Sequence, residues 1–347
     1  MTAPVRPDQH GAAGTEGDDC CSPASGTRPE PVVPDAAIIA AVLVLCVVLV
    51  VRGPLSGLVD VQATTTWATI AVSVCVQAVP FLALGILIST VIATVLPSEL
   101  LMRALPARPG LAVPVAGLAG ALLPGCECGS VPVASGLISR GVPQGVALTF
   151  LLSAPAVNPI VLVSTYVAFP AQPAMVLARL VAALATAVLV GLLWCRFGKP
   201  QWLLERAVHT RHGRTSRGGH ALQVATHDFL QAGGFLVLGA MTSAALHVLV
   251  PRSVLDTFGG QGALAVLTLV VLAIVLAVCS EADAFVAASF TQFSRTAQLA
   301  FMVVGPVVDV KLVALHVGTF GRRFAARFCP LALAAAVTAS VLTGSLL

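Results

Sequence analysis

Apolar stretches of helix length dominate the chain once its first 34 residues are passed. They run at about 36 to 51, 67 to 96, 111 to 139, 143 to 169, 173 to 195, 228 to 250, 261 to 291, 297 to 320 and 325 to 346, with breaks marked by Pro, Gly and Arg. A helix needs about 20 predominantly apolar residues to cross the hydrocarbon core, so 347 residues leave room for about eight to ten membrane segments. Residues 1–34 differ in kind, being polar and rich in Gly, Pro, Asp and Glu. Such a segment cannot bury enough apolar area to offset the entropy of ordering, and it is expected to be a disordered cytoplasmic tail. No basic segment leading into a short apolar core and a small-residue cleavage site is visible there, so no signal peptide is expected.

Composition places the chain outside the soluble globular range, with 57% hydrophobic residues, 10% charged residues and a mean hydropathy of +0.96. It reads as an all-α polytopic protein of the cell membrane. The net charge of +4 therefore says little about nucleic acid; what matters is where basic residues fall relative to the segments. The nine cysteines do not form a disulfide framework, because most sit singly within apolar stretches where a polarizable thiol packs well. Cys20 and Cys21, adjacent on the tail, are read as incidental thiols without fixed geometry.

An internal repeat organises the stretches. Gln77–Gly85 reads QAVPFLALG and Gln231–Gly239 reads QAGGFLVLG, six identities in nine positions at an offset of 154 that Pro97 and Pro251 share. Cys126 falls on Cys279 and Val133-Ala134 on Val286-Ala287 at 153, and Phe150, Pro155 and Asn158 fall on Phe301, Pro306 and Asp309 at 151. The reading is a duplicated unit plus one extra N-terminal helix. Arg196, Lys199, Arg206, Arg211, Arg214 and Arg217 place the central stretch in the cytoplasm by the positive-inside rule. If 111–139 dips in and returns, or crosses twice, then Arg103, Arg108, Arg322, Arg323 and Arg327 also lie inside. Each repeat then has an odd number of crossings, so the expected architecture is two inverted repeats with broken or re-entrant helices. The expected domains are a tail at 1–34, the N-terminal helix and first repeat at 35–195, a basic cytoplasmic loop at 196–226, and the second repeat at 227–347.

The chemistry gathers at the breaks. Residues 124–132 read PGCECGSVP, and the counterpart from Cys279 reads CSEADAFVAAS. Non-helical backbone at membrane depth is tolerated where it is buried in protein or lines a wet cavity. Cys126 and Cys128 would present two sulfurs to a soft metal or metalloid if the backbone there is extended or turned, with Glu127 as a counter-charge or proton carrier. Tight packing of the two cysteines beside a loop glutamate is the bland alternative. Glu281 and Asp283 are intramembrane carboxylates, each costing about 2.5–3.5 kcal/mol to insert, and read as a cation site or proton relay or else as loop residues. Asp309 and Lys311, two apart, diverge on a helix, so Lys311 is expected to pair with Asp283 or Glu281. A purely structural salt bridge is the alternative. Asn158, preceding Pro159, is a candidate for lining the pathway. Gln77 and Gln231 are expected to be interhelical hydrogen-bond donors, and His316 a packed or interfacial histidine.

The runs PGCECGSVPVASGLISRGVPQGVALTFLLSAPAVNPIVL, SEADAFVAASF and LAFMVVGPVVDVKL resemble the predicted-permease family that includes the organoarsenical efflux permeases. The resemblance spans about residues 67–345 and is strongest to a two-component branch. It implies a multi-helix permease, soft-element efflux and a second small membrane subunit. Glu127 stands where family members commonly carry serine between the two cysteines.

No phosphate loop, HExxH or dinucleotide fingerprint is present, so neither an enzyme nor a cofactor is expected. The leading reading is a secondary permease exporting a small soft solute by proton exchange. Cys126, Glu127, Cys128 and Asn158 would bind substrate, Cys126 and Cys128 as its metal or metalloid ligands, while Glu281, Asp283, Asp309 and Lys311 couple protons. Two alternatives stand beside it: an intramembrane thiol oxidoreductase cycling Cys126 and Cys128, and a non-transporting subunit anchoring a partner through the basic loop. The expected partners are an ion or small-molecule substrate and the lipid bilayer, with no nucleic acid.

Overall fold

The computed structural model describes residues 61–94, 106, 109–120, 126–198, 219–249 and 262–347. The tail expected at 1–34, the helix expected at 36–51, Arg52, Arg103, Arg108, Arg252 and residues 199–218 lie outside the described residues. Within them the elements are twelve helices in two runs of six. The first run is α1 (Val61–Thr94), α2 (Pro109–Ala119), α3 (Glu127–Ser139), α4 (Gln144–Val157), α5 (Pro159–Ala168) and α6 (Ala174–Phe197). The second is α7 (Gly219–Leu249), α8 (Ala263–Leu276), α9 (Asp283–Ser289), α10 (Arg295–Val304), α11 (Val310–Phe320) and α12 (Arg322–Gly344). Among the described residues no strand occurs. Five segments are long and apolar enough to cross a membrane: Gln62–Ile92, Gln144–Ala168 with α4 and α5 taken together, Ala174–Phe197, Ala225–Leu246 and Arg322–Gly344. The chain is an all-α multi-pass membrane protein. Helix α7 starts at Gly219, inside the stretch 196–226 expected as loop.

Four apolar stretches are interrupted, two in each half. The breaks in 111–139 and 261–291 were expected, whereas 143–169 and 297–320 read as continuous from hydropathy alone. Pro159 explains the third: it lacks an N–H, so α5 starts afresh with Pro159 as its first residue and extended Asn158 (ψ 136°) as its cap. Asp309, extended at φ −138° and ψ 172°, caps α11 at the corresponding place. Helix α8 ends where Ala277 turns left-handed (φ 47°, ψ 43°), a conformation that a residue with a Cβ rarely takes. Helices α3 and α9, of 13 and 7 residues, are too short to cross a hydrocarbon core of about 30 Å at 1.5 Å per residue.

Packing pairs helices at like positions in the two runs of six. Helix α1 lies against α7 and α6 against α12, so corresponding helices meet. Helix α3 crosses α11, and its counterpart α9 crosses α5, the counterpart of α11. Two glycines at matching positions permit the close approaches. A Cβ on Gly85 of α1 would collide with the backbone of Gly129 in α3, and one on Gly239 of α7 would sit 2.6 Å from Cα of Lys311 in α11. Small residues at such crossings let backbones approach where apolar burial against lipid supplies little drive. Trp194 of α6 meets Phe324 and Phe328 of α12 edge-on, at 5.2 and 5.7 Å between ring centroids. His316 packs fully buried among Phe320, Phe324 and Phe328.

Candidate functional site

The break before α3 presents its side chains through local backbone geometry. Cys126 is extended (φ −81°, ψ 172°) and its carbonyl accepts from Gly129 N at 3.1 Å, so the helix begins at Glu127. Successive residues across this extended-to-helical junction need not diverge as they would within a helix. The thiol of Cys126 accordingly neighbours those of Cys128 and Cys279. Cys126, Glu127 and Cys128 are all 1% exposed or less, which removes the reading of Glu127 as a watery loop residue.

Lys311 of α11 reaches this break. Its Nζ lies 2.6 Å from Glu127 Oε1 and 3.5 Å from Asp309 Oδ2, donates to the carbonyl of Ala277 at 2.8 Å, and approaches Cys279 Sγ at 3.8 Å. The left-handed turn at Ala277, which ends α8, thus leaves its carbonyl serving as an ammonium acceptor. Ser280 donates its hydroxyl to Glu127 Oε2 at 3.3 Å.

Two expectations about Lys311 are corrected. It pairs with Glu127 and Asp309, not with Asp283 or Glu281. It also does not diverge from Asp309, because Asp309 precedes the helix in extended conformation and its Oδ1 accepts from Leu312 N at 2.6 Å. The rule for residues two apart applies only inside a helix.

Asp283, the first residue of α9, is instead held by Arg179 of α6 at 2.8 Å. Arg179 also donates to Thr165 Oγ1 at 2.9 Å and to the carbonyl of Ser280 at 3.2 Å. Sequence reasoning missed Arg179, although the signal was there: it is the only charged residue between 173 and 195. An intramembrane charge of that kind is a functional candidate by default. Glu281 is half-buried and its Oε2 has no hydrogen-bond partner. Asn158 is fully buried; its Oδ1 accepts from Ile160 N at 2.8 Å and its Nδ2 is unpartnered. Gln231 donates to the carbonyl of Gly318 at 3.1 Å, as expected of an interhelical donor, while Gln77 is exposed on α1.

The result is reciprocal. Glu127 and Asp283 each open a short helix at the matching break of one half, and each is paired with a buried cation contributed by the other half. Three carboxylates (Glu127, Asp283, Asp309) face two cations (Arg179, Lys311), all 1% exposed or less. A buried charge is tolerated only when paired and hydrogen-bonded, so one carboxylate is surplus. Among the described residues no group of three or more His, Cys, Asp and Glu side chains is arranged to hold a metal ion.

Comparison with known proteins adds a family. The model of the family described as "Predicted permease" matches residues 64–345. A UPF0718 protein, YcgR, of Bacillus subtilis is 36% identical over 286 residues, covering 80% of this chain and 95% of the relative. A Streptococcus mutans protein named "Putative two-component membrane permease complex subunit" is 30% identical over 267 residues, covering 75% of this chain and 88% of the relative. No solved structure matches.

Proposed function

We propose that this chain, which belongs to the predicted permease family, is a secondary permease exporting a small soft solute, a metal or metalloid species, in exchange for protons. The observation that carries the reading is the reciprocal pairing of Glu127 with Lys311 and of Asp283 with Arg179 at the two matching helix breaks. Ionisable groups are costly at membrane depth and are retained where ions or protons pass. The six-by-six order of helices and their crosswise packing support two inverted repeats that rock about this centre.

In this reading Cys126 and Cys128 bind the solute through sulfur, which suits soft, polarizable species, and Glu127 supplies counter-charge. Asn158, at the start of α5, would bind the solute through its amide nitrogen, which has no partner within the protein. Asp309 and Lys311 carry the proton traffic, with Glu281 and Asp283 beside them. The name of the Streptococcus mutans relative supports a second membrane subunit for this chain as well.

The test is uptake into inverted vesicles bearing the wild type or Cys126→Ser/Cys128→Ser, with and without a proton gradient, against a panel of soft metals, arsenicals and antimonials. Gradient-dependent accumulation of one species that the double variant fails to move is expected. Equal transport by the variant would remove the cysteines from the site, and no transport of any species would remove the soft-solute reading.

A further inference from the structure

Helix α1 turns polar side chains outward at a depth where the bilayer cannot satisfy them. Of the five segments long and apolar enough to cross a membrane, Gln62–Ile92 is the least buried, and Gln77 stands halfway along it. Ser73 and Gln77 are both exposed, as are Thr69 and Thr66 one and two turns before Ser73. The two threonines donate their hydroxyls to carbonyls of their own helix, those of Thr65 and Gln62. Ser73 and Gln77 make no side-chain hydrogen bond among the described residues.

Pro80 adds a third unmet group. It lies inside α1 and has no N–H, so the carbonyl of Val76 lacks its helical donor, on a face where Val76 is 68% exposed. The second half of the chain differs at both places. Gln231, at the position of Gln77 in the repeated motif, donates to the Gly318 carbonyl, and Gly234, at the position of Pro80, keeps an N–H for its helix.

We propose that the outward face of α1 is the contact by which two copies of this chain pair in the membrane. An amide is donor and acceptor at once, so copies related by a two-fold axis along the membrane normal satisfy each other. The Gln77 amide of each donates to the partner's Val76 carbonyl, and the two Ser73 hydroxyls lie one turn away across the same axis. Exposed positions Ser73, Gln77, Pro80, Leu84, Leu87 and Val91 alternate steps of four and three, the spacing of a seam between two parallel helices. Polar side chains on a membrane helix are held where a neighbouring helix answers them. Lipid tails offer no such group, and the apolar run 36–51 of this chain carries no Ser, Thr, Asn, Gln or His. A second copy presents the whole set.

The pairing needs neither the solute nor proton coupling, so it stands or falls apart from the permease reading. Single-molecule photobleaching of the full-length labelled chain in lipid vesicles of falling protein density reads the dimer fraction. Wild type is expected to be dimeric. Gln77→Leu is expected to associate about tenfold more weakly, because two reciprocal hydrogen bonds are lost while an exposed apolar side chain leaves the fold intact. Ser73→Cys, oxidised with copper phenanthroline in native membranes, is expected to give a dimer whose disulfide mass spectrometry assigns to position 73 of both chains. Leu177→Cys, 62% exposed on α6, is the control and is expected to give no such dimer. A monomer at every density, a dimer that Gln77→Leu leaves as strong, or equal linkage through Leu177→Cys overturns the proposal. Linkage of the thiol introduced at position 73 to Cys46 would put the chain's own run 36–51 on this face, and linkage to a different protein would put a second subunit there. Either result overturns the pairing of copies.

Discussion

Arg179 and Asp283, 104 positions apart, meet at 2.8 Å with side chains 0% and 1% exposed. A buried pair of this kind contributes little net stability compared with two apolar residues, yet removing one member strands the other charge without solvent. Arg179→Met is therefore expected to destabilise the protein by about 3–5 kcal/mol. Arg179→Met/Asp283→Leu should recover most of that loss. Thermal unfolding in detergent checks both; a double variant no more stable than the single would mean that Arg179 acts through Thr165 and the Ser280 carbonyl instead.

Gly85 and Gly239 occupy the same place in the repeated QAxxFLxLG motif and perform the same task at the two crossings beneath the site. Gly239→Ala would press a methyl against Cα of Lys311, only 2.6 Å away, and backbone cannot yield as a flexible side chain can. Overpacking of this kind costs about 1–3 kcal/mol, and here it also displaces Lys311. Gly233, on the same helix, has nothing within 4 Å of a built Cβ. Gly233→Ala is expected to be neutral or stabilising by up to about 1 kcal/mol, since alanine is the better helix former. Equal effects of the two substitutions on unfolding temperature would argue that the close approach at Gly239 is not tight.

The membrane class was legible because continuous apolar runs have few other uses, although five segments among the described residues are long and apolar enough to cross where about eight to ten were expected; glycine and proline positions marked the breaks. The break at PGCECG was visible for the same reason: Pro and Gly flank three side chains that do not belong in lipid. Partner assignment was not legible. Lys311 sits close in sequence to Asp309 and far from Glu127, and only the crossing of α3 over α11 brings all three together. The helix rule that separated Asp309 from Lys311 failed because helical backbone starts one residue after Asp309. Arg179 was overlooked because it lies amid AMVLARLVAALA with no charged neighbour to draw attention, although that isolation is itself the informative feature. Breaks at Asn158 and Asp309 were hidden from hydropathy, which records how apolar a run is and not whether its backbone is continuous.

Asn158 and Asp309 are matching caps, each accepting through its side-chain Oδ1 from a backbone N–H in the first turn of the helix that follows. Loss of such a cap costs about 1 kcal/mol. Asn158→Ala is expected to lose about that amount, and Asp309→Ala to lose the cap and a charge together. Asp309→Asn separates the two roles by retaining the acceptor. Calorimetric or denaturant unfolding should rank Asp309→Asn above Asp309→Ala in stability; the reverse order would show that the charge, not the cap, holds α11 in place.

Thiol reactivity gives a map of the same centre that needs no knowledge of the solute. Alkylation requires both access and the thiolate, and burial restricts each. Cys195 near the end of α6 is exposed and Cys75 of α1 partly so, whereas Cys126, Cys128, Cys279 and Cys329 are buried. Among the thiols of the described residues, a membrane-permeant maleimide followed by peptide mass spectrometry is expected to modify Cys195 first, then Cys75, with the four buried thiols at least about tenfold slower, limited by local opening. Lys311→Met should accelerate Cys279 and Cys128 selectively and leave Cys195 unchanged, because the ammonium that ties the breaks together is lost while the surface of α6 is untouched. Modification of Cys128 as fast as Cys195 in the wild type would mean that the break is open to the reagent at rest and that the centre is not closed.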